Sequence, residues 1–218
     1  MLSPNGRCAM ISGANRGIGL VITRKLHSLG YCVSAAARDL PDLRHALEDL
    51  PGERLSLHRY DAQDPEVCKT WVTETVARWG RIDALVNVAG ILLPIGIEHE
   101  NEADFDLIWT VNVKAPLRMT RLALPYLKQS GTGRVVNMAS LSGKRIRNLN
   151  VAYNMTKFAI LALTHTTRRL GWVHGIRATA VCPGWVDTSM AEEHSRGFPP
   201  NEMTTPDDIA TLVAMTMA

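Results

Sequence analysis

The sequence predicts an α/β protein: a doubly wound parallel sheet in three layers, read over residues 1–218 as a single domain. Three observations carry that reading. Short apolar runs alternate with longer stretches of helical period, the pattern of repeated strand–helix–strand units. Several runs are continuously apolar, which suits parallel strands covered on both faces. No Pro/Gly/Ser-rich linker divides the chain, and its length can bury one sizeable core.

In chain order, strands are predicted at 7–12, 31–37, 54–60, 82–88, 133–138 and 176–182. Helical patterns fall between them at 17–29, 41–50, 64–79, 102–128 and 151–172. Right-handed crossovers then place the helices on both faces, and ligands of such sheets bind at the carboxyl ends of the strands. The last helix is signalled by Thr205-Pro206-Asp207-Asp208: a hydroxyl cap, a proline at the first helical position and acids in the first turn.

The bulk properties exclude several classes. Hydrophobic residues make up 46% and charged residues 21%, and the net charge of +3 is too small and too scattered for a nucleic-acid surface. No window has membrane-spanning length without charges, and the start lacks the pattern of a signal peptide. Cys8, Cys32, Cys68 and Cys182 have no metal-ligand spacing. They read as free thiols, which suits a reducing cytoplasm.

Function enters at the first turn. Ser12-Gly13-Ala14-Asn15-Arg16-Gly17-Ile18-Gly19 follows a strand and opens a helix. Three glycines let the backbone turn tightly and approach a pyrophosphate, whose charge the helix N-terminus favours. The second strand ends Ala35-Ala36-Ala37-Arg38-Asp39. An acid there would accept from the ribose 2′-hydroxyl of NAD, whereas a cation would pair with the 2′-phosphate of NADP. Small Ala37 followed by Arg38, with Arg16 as a second guanidinium, favours NADP (as NADPH). The alternative is NAD, with Arg38 an ordinary loop charge and Asp39 the ribose acid.

Further along, Ser140 closes an apolar run, and Tyr153 and Lys157 stand four apart on a predicted helix, one turn from each other on one face. A phenol normally titrates near ~10. An adjacent ammonium is expected to pull it down toward the operating pH of a general acid, with burial taking back part of the effect.

These motifs occur together and in order: the glycine turn, Asp61-Ala62, Asn87-Val88-Ala89-Gly90, Asn112, Ser140, Tyr153-x-x-x-Lys157 and Pro183-Gly184-Trp185-Val186-Asp187-Thr188. The chain therefore resembles the short-chain dehydrogenase/reductase family from about residue 7 to 188. That resemblance implies a Rossmann-like fold and hydride transfer between NADPH and a ketone or aldehyde. It implies cofactor contacts from Gly13, Asn15, Arg16, Gly17, Ile18, Gly19 and Arg38, with Asp61 and Ala62 at the adenine and Asn87, Ala89 and Gly90 at the ribose. Tyr153 is the implied proton donor and Ser140 the holder of the substrate oxygen. Lys157 is implied at the nicotinamide ribose, lowering the phenol's pKa, and Asn112 at a water of the proton relay. Pro183, Gly184, Val186 and Thr188 are implied at the nicotinamide, and the assembly is implied to be a homodimer or homotetramer.

Plainer readings stand beside these. Asn112 can be a buried amide bonded to backbone, with Pro116 marking a bend; Asp61 can cap a turn; Thr188 can be a loop hydroxyl. Val88 replaces the second Asn of the family's Asn-Asn-Ala-Gly motif, which removes one side-chain hydrogen bond. The family's seventh strand is absent, so the chain reads as truncated, with strand 176–182 otherwise left as an open edge. Pocket walls are expected from 91–97, 141–150, Trp185 and 190–203, with a lid at about 189–204. The apolar residues there suggest an apolar substrate; Lys144, Arg145 and Arg147 are read as solvated charges, the alternative being an acidic substrate. The rival functions are an NAD-dependent alcohol dehydrogenase and a non-catalytic dinucleotide-binding regulator.

Overall fold

The computed structural model describes residues 2–195 and 197–218. Its six strands are β1 (Cys8–Ser12), β2 (Cys32–Ala37), β3 (Leu55–Arg59), β4 (Ala84–Asn87), β5 (Arg134–Met138) and β6 (Arg177–Val181). All pair in parallel, in the order β3-β2-β1-β4-β5-β6. Every predicted strand is present, a residue or more shorter at its ends. The order reverses between β1 and β4, which opens a crevice at their carboxyl ends.

The helices are α1 (Gly17–Ser28), α2 (Leu40–Ala46), α3 (Pro65–Trp79), α4 (Glu102–Trp109), α5 (Ala115–Gln129), α6 (Val151–Gly171), α7 (Ser189–His194) and α8 (Pro206–Met217). Side-chain alternation along the strands feeds two cores. Ala9, Ile11, Val33 and Ala35 join Ile22 and Leu26 of α1 and Ile209 and Val213 of α8. Met10, Leu85 and Val135 join Trp71 of α3 and Met119, Ala123 and Leu127 of α5. Asn137 shares the face of Val135 and donates to Thr164 of α6 at 2.9 Å. The result is a sheet with a helical layer on either side.

Two expectations, both of helix bounds, need correction. The single helix at 102–128 is two α-helices joined by a π-turn over Thr110–Lys114, in which the Ala115 N–H reaches the Thr110 carbonyl. Pro116 has no N–H for the Asn112 carbonyl, so the α-helical ladder cannot continue unbroken there. The helix at 41–50 ends at Ala46, because Leu47 leaves helical dihedrals at φ −125° and Pro51 disfavours helix at the residue before it. Segment 189–204, expected as a lid, holds α7 and a 3₁₀ turn at Pro200–Glu202; residue 196 lies outside the described residues. β6 stands at the sheet edge. The last helix carries a full capping box between Thr205 and Asp208.

Candidate active site

The parallel sheet delivers the ends of β1, β2, β4, β5 and β6 to one rim, and the predicted site residues gather along it. Ser12 ends β1 with a buried hydroxyl that accepts from the N–H groups of Val88 and Ala89, at 3.1 and 3.2 Å. This bond ties the glycine turn to the loop after β4. Gly13, at φ +69°, lets that loop approach: a Cβ there would stand 3.0 Å from the backbone of Ala89. Gly17, at φ +53°, opens α1 beside Thr188, and a Cβ on Gly19 would collide with the Gly13 carbonyl oxygen. L side chains avoid the positive φ of the first two, and packing excludes one at the third.

Among the described residues no side-chain hydrogen bond caps α1 at Arg16, and no acid lies in its first turn. Its first N–H groups are therefore left for a ligand, and the positive end of the helix dipole favours an anion there. The turn fits a pyrophosphate. At the neighbouring strand end Ala37 is buried while Arg38 and Arg16 are exposed. Asp39, the alternative ribose acid, accepts from the Asp42 N–H at 2.9 Å as the cap of α2. Asn15 donates to Asp42. Asp61 accepts from the Gln63 N–H at 3.0 Å, which is a turn cap, and Arg118 holds the Ala62 carbonyl at 3.0 Å. Asn87 donates to Asn137 at 2.8 Å and leaves its own Oδ1 buried without a partner among the described residues. Val88, in place of an Asn, packs against the first core.

The catalytic candidates share the other half of the rim. Ser140 starts a 3₁₀ turn and its hydroxyl accepts from the Ser142 N–H at 3.1 Å. That turn lies against α6 because position 143 is glycine; a Cβ there would stand 2.6 Å from the Lys157 carbonyl oxygen. Asn150 caps α6 by accepting from the Tyr153 N–H at 3.1 Å, and it donates to the Leu93 carbonyl at 2.6 Å. Tyr153 is half-buried and Lys157 buried, with the ammonium 5.3 Å from the centre of the phenol ring. Lys157 Nζ donates to the Met138 carbonyl at 2.9 Å.

Here the electrostatics depart from expectation. Burial raises the Tyr153 phenol, with the Ser140 hydroxyl pulling against it, so the phenol is not drawn down by Lys157. Burial also lowers Lys157 from 10.5 to about 8. Desolvation disfavours the charged form of both groups and is the largest cause of each shift.

Asn112 sits in the π-turn with its amide fully engaged. It accepts from the Ile91 N–H at 2.9 Å, donates to the Ile91 carbonyl at 2.8 Å and reaches Thr156 at 3.3 Å. The side chain thus fastens the segment containing Ala89 and Gly90 to the helices. On the β6 side the Pro183 carbonyl accepts from the Leu141 N–H at 2.9 Å, Gly184 lies against Leu141 and Val186 is buried. Thr188 donates to the Val186 carbonyl at 3.2 Å.

Four residues that position this site were not singled out from sequence: Ser12, Asn137, Gly143 and Asn150. Ser12 and Asn137 are polar residues in or ending otherwise apolar strands, a signal that was available. Gly143 and Asn150 act through contacts between segments, which leave no local pattern. Among the described residues, no group of three His, Cys, Asp or Glu side chains can hold a metal, and no helix is long and apolar enough to cross a membrane.

Comparison with known proteins agrees with this geometry. A family model described as short chain dehydrogenase matches residues 7–197. An agropine synthesis reductase of Rhizobium rhizogenes is 45% identical over 94% of this chain, and the match covers 47% of that protein. The chain thus spans about half the length of this curated relative. A metagenomic short-chain oxidoreductase solved in complex with NADP superposes with a TM-score of 0.85 at 30% identity, covering 99% of this chain and 92% of that one. The 3-ketoacyl-(acyl-carrier-protein) reductase of Brucella melitensis, solved with NADH, shares the fold at a TM-score of 0.91 and 24% identity, covering 99% of this chain and 92% of that one. The chain belongs to the short-chain dehydrogenase family, whose members are oxidoreductases acting between CH–OH and C=O with NAD(P).

Proposed function

We propose that the protein is an NADPH-dependent carbonyl reductase in which Tyr153 gives the proton. The observation that carries this reading is the meeting of Ser140, Tyr153 and Lys157 on the rim that also holds the glycine turn. A bound nicotinamide dinucleotide supplies the hydride. The protein's own work is to hold a carbonyl compound and protonate its oxygen. The Ser140 hydroxyl fixes that oxygen. Tyr153, kept neutral by burial, has its proton available at neutral pH, the state needed for reduction. The Lys157 ammonium nearby favours the phenolate left behind. Asn112 acts through its backbone: Pro116 offers its carbonyl no N–H, so that oxygen is a candidate for the relay water.

Gly13, Gly17, Gly19 and the first N–H groups of α1 would hold the pyrophosphate. Asp61 and Ala62 would border the adenine, Asn87, Ala89 and Gly90 the ribose, and Pro183, Gly184, Val186 and Thr188 the nicotinamide. The preference for NADPH rests on Arg38 and Arg16, which are exposed and have no carboxylate partner among the described residues, and on Asp39 being committed to α2. In the same reading, segment 189–204 closes over the substrate, the chain is one domain that assembles as a homo-oligomer, and its free thiols belong to a reducing cytoplasm.

Replacing Tyr153 by Phe tests the mechanism. Fluorescence titration should show NADPH binding retained, while reduction of a panel of ketones and aldehydes falls by about 100-fold or more, the scale of a lost general acid. Near-normal turnover would remove Tyr153 as the acid.

A further inference from the structure

The segment that joins Ser140 to Tyr153 carries an uncompensated positive charge. Between residues 140 and 153 stand Lys144, Arg145 and Arg147, and no acid. All three are exposed. Among the described residues none lies within 4.0 Å of a carboxylate. Lys144 lines a groove of about 420 Å³ beside β6, together with His165, Arg168 and Cys182. The guanidiniums of Arg145 and Arg147 have no hydrogen-bond partner among the described residues.

The loop that carries them is tied down. Asn148 donates to the Ser142 hydroxyl at 3.4 Å and accepts from the Asn150 N–H at 2.9 Å and from Asn154 at 3.1 Å. Asn150 anchors the far end to Leu93 and to the start of α6. The two guanidiniums are therefore carried on a tied loop that runs between the catalytic candidates Ser140 and Tyr153. They are set among large apolar side chains left open to solvent: Ile146 is 61% exposed and Leu149 92%. Ile97 stands 88% exposed, close by in chain to Gly96, which lies against the Leu149 carbonyl. An apolar rim with two free guanidiniums suits a molecule with an apolar body and an anionic end. A planar guanidinium pairs bidentately with a carboxylate.

We infer that the substrate is a carbonyl compound carrying a carboxylate, which Arg145 and Arg147 hold while the carbonyl lies between Ser140 and Tyr153. This rests on the reading of the site as a carbonyl reductase. It assigns the two arginines to substrate specificity, the alternative that stood beside solvated charge in the sequence.

The test compares levulinate and 6-oxoheptanoate, each beside its methyl ester, as substrates of the full chain with NADPH. Exposed ion pairs are individually weak, so two of them should favour acid over ester by about tenfold in kcat/KM. The preference should lie in KM and shrink as salt is raised. In the double variant Arg145→Gln with Arg147→Gln, the acid-to-ester ratio should fall to about one with the KM for NADPH unchanged. Equal use of acid and ester by the unaltered protein would overturn the inference and leave carbonyl reduction standing. A loss of NADPH affinity in the double variant would overturn it too, by assigning the guanidiniums to the dinucleotide. If NADPH binds and neither acids nor esters are reduced, the reductase reading fails and the inference falls with it.

Discussion

Lys157 offers the sharpest physical test. Its ammonium is buried and, among the described residues, has a single protein acceptor, the Met138 carbonyl. Burial lowers its pKa from 10.5 to about 8. At about 1.4 kcal/mol per pH unit, that difference means the folded state carries a penalty of about 3 kcal/mol while the lysine is charged. The window follows from linkage. Below about pH 8 the folded and unfolded chains both hold the proton, and the full penalty applies. Between about 8 and 10.5 the folded lysine is neutral and the unfolded one still charged. The unfolded chain then binds more protons, so stability rises with pH. Lys157→Met removes the titration and keeps most of the volume. Urea unfolding of both proteins from pH 6.5 to 10.5, without cofactor, should show the wild type gaining about 3 kcal/mol relative to the variant across the window. Constant terms, such as the Met138 carbonyl left without its donor, cancel in that difference, as do titrating groups that do not interact with Lys157; Cys182, which does, is replaced by Ser in both proteins. Parallel curves for the two proteins would refute the argument and mean that water reaches the ammonium.

Three further outcomes follow from the geometry. Arg38→Asp should shift the preference from NADPH toward NADH by at least about tenfold in kcat/KM, through loss of a phosphate partner and gain of a ribose acceptor; an unchanged ratio in steady-state kinetics would contradict the role given to Arg38. Gly19→Ala places a methyl group against the Gly13 carbonyl and should cost about 1–3 kcal/mol by denaturant melts, with dinucleotide binding lost in titration. Asn112→Ala leaves the N–H and carbonyl of Ile91 without their partners and should destabilise by about 1–3 kcal/mol per group left buried and unpaired. That last loss should appear in thermal melts of the cofactor-free protein, which separates holding the fold from any part in proton relay.

The features that could be read from sequence are those fixed by neighbours along the chain. Six strands were visible because parallel strands are buried on both faces and become continuous apolar runs, as in the fully buried Cys8–Ser12. The glycine turn was visible because two of its glycines adopt positive φ and the third faces a carbonyl. Tyr153 and Lys157 were visible because helical spacing brings them to one face. The π-turn was hidden, since 102–128 keeps one helical period throughout; only Pro116 hinted at it. What shapes that turn is the missing Pro116 N–H together with two bonds from Asn112 to Ile91, 21 positions earlier. Gly143 was equally hidden. It looks like a loop glycine until the Lys157 backbone is brought against it.

The direction of the Tyr153 shift shows why spacing could not decide the chemistry. Spacing sets how near two side chains can come, but the solvent around them sets which charge state survives. Lys157 reaches back under β5 to the Met138 carbonyl, and that same position takes it out of water. Burial then opposes both charges at once: the phenol holds its proton more tightly and the lysine less. In the proposed mechanism, a neutral phenol with a buried ammonium over its ring gives a proton rather than takes one. As the phenol's proton leaves, the new negative charge lies near Lys157 and raises that lysine's affinity for its own proton. On that proposal the ammonium acts after the transfer begins, on the charge it produces, and not by making the resting phenol acidic.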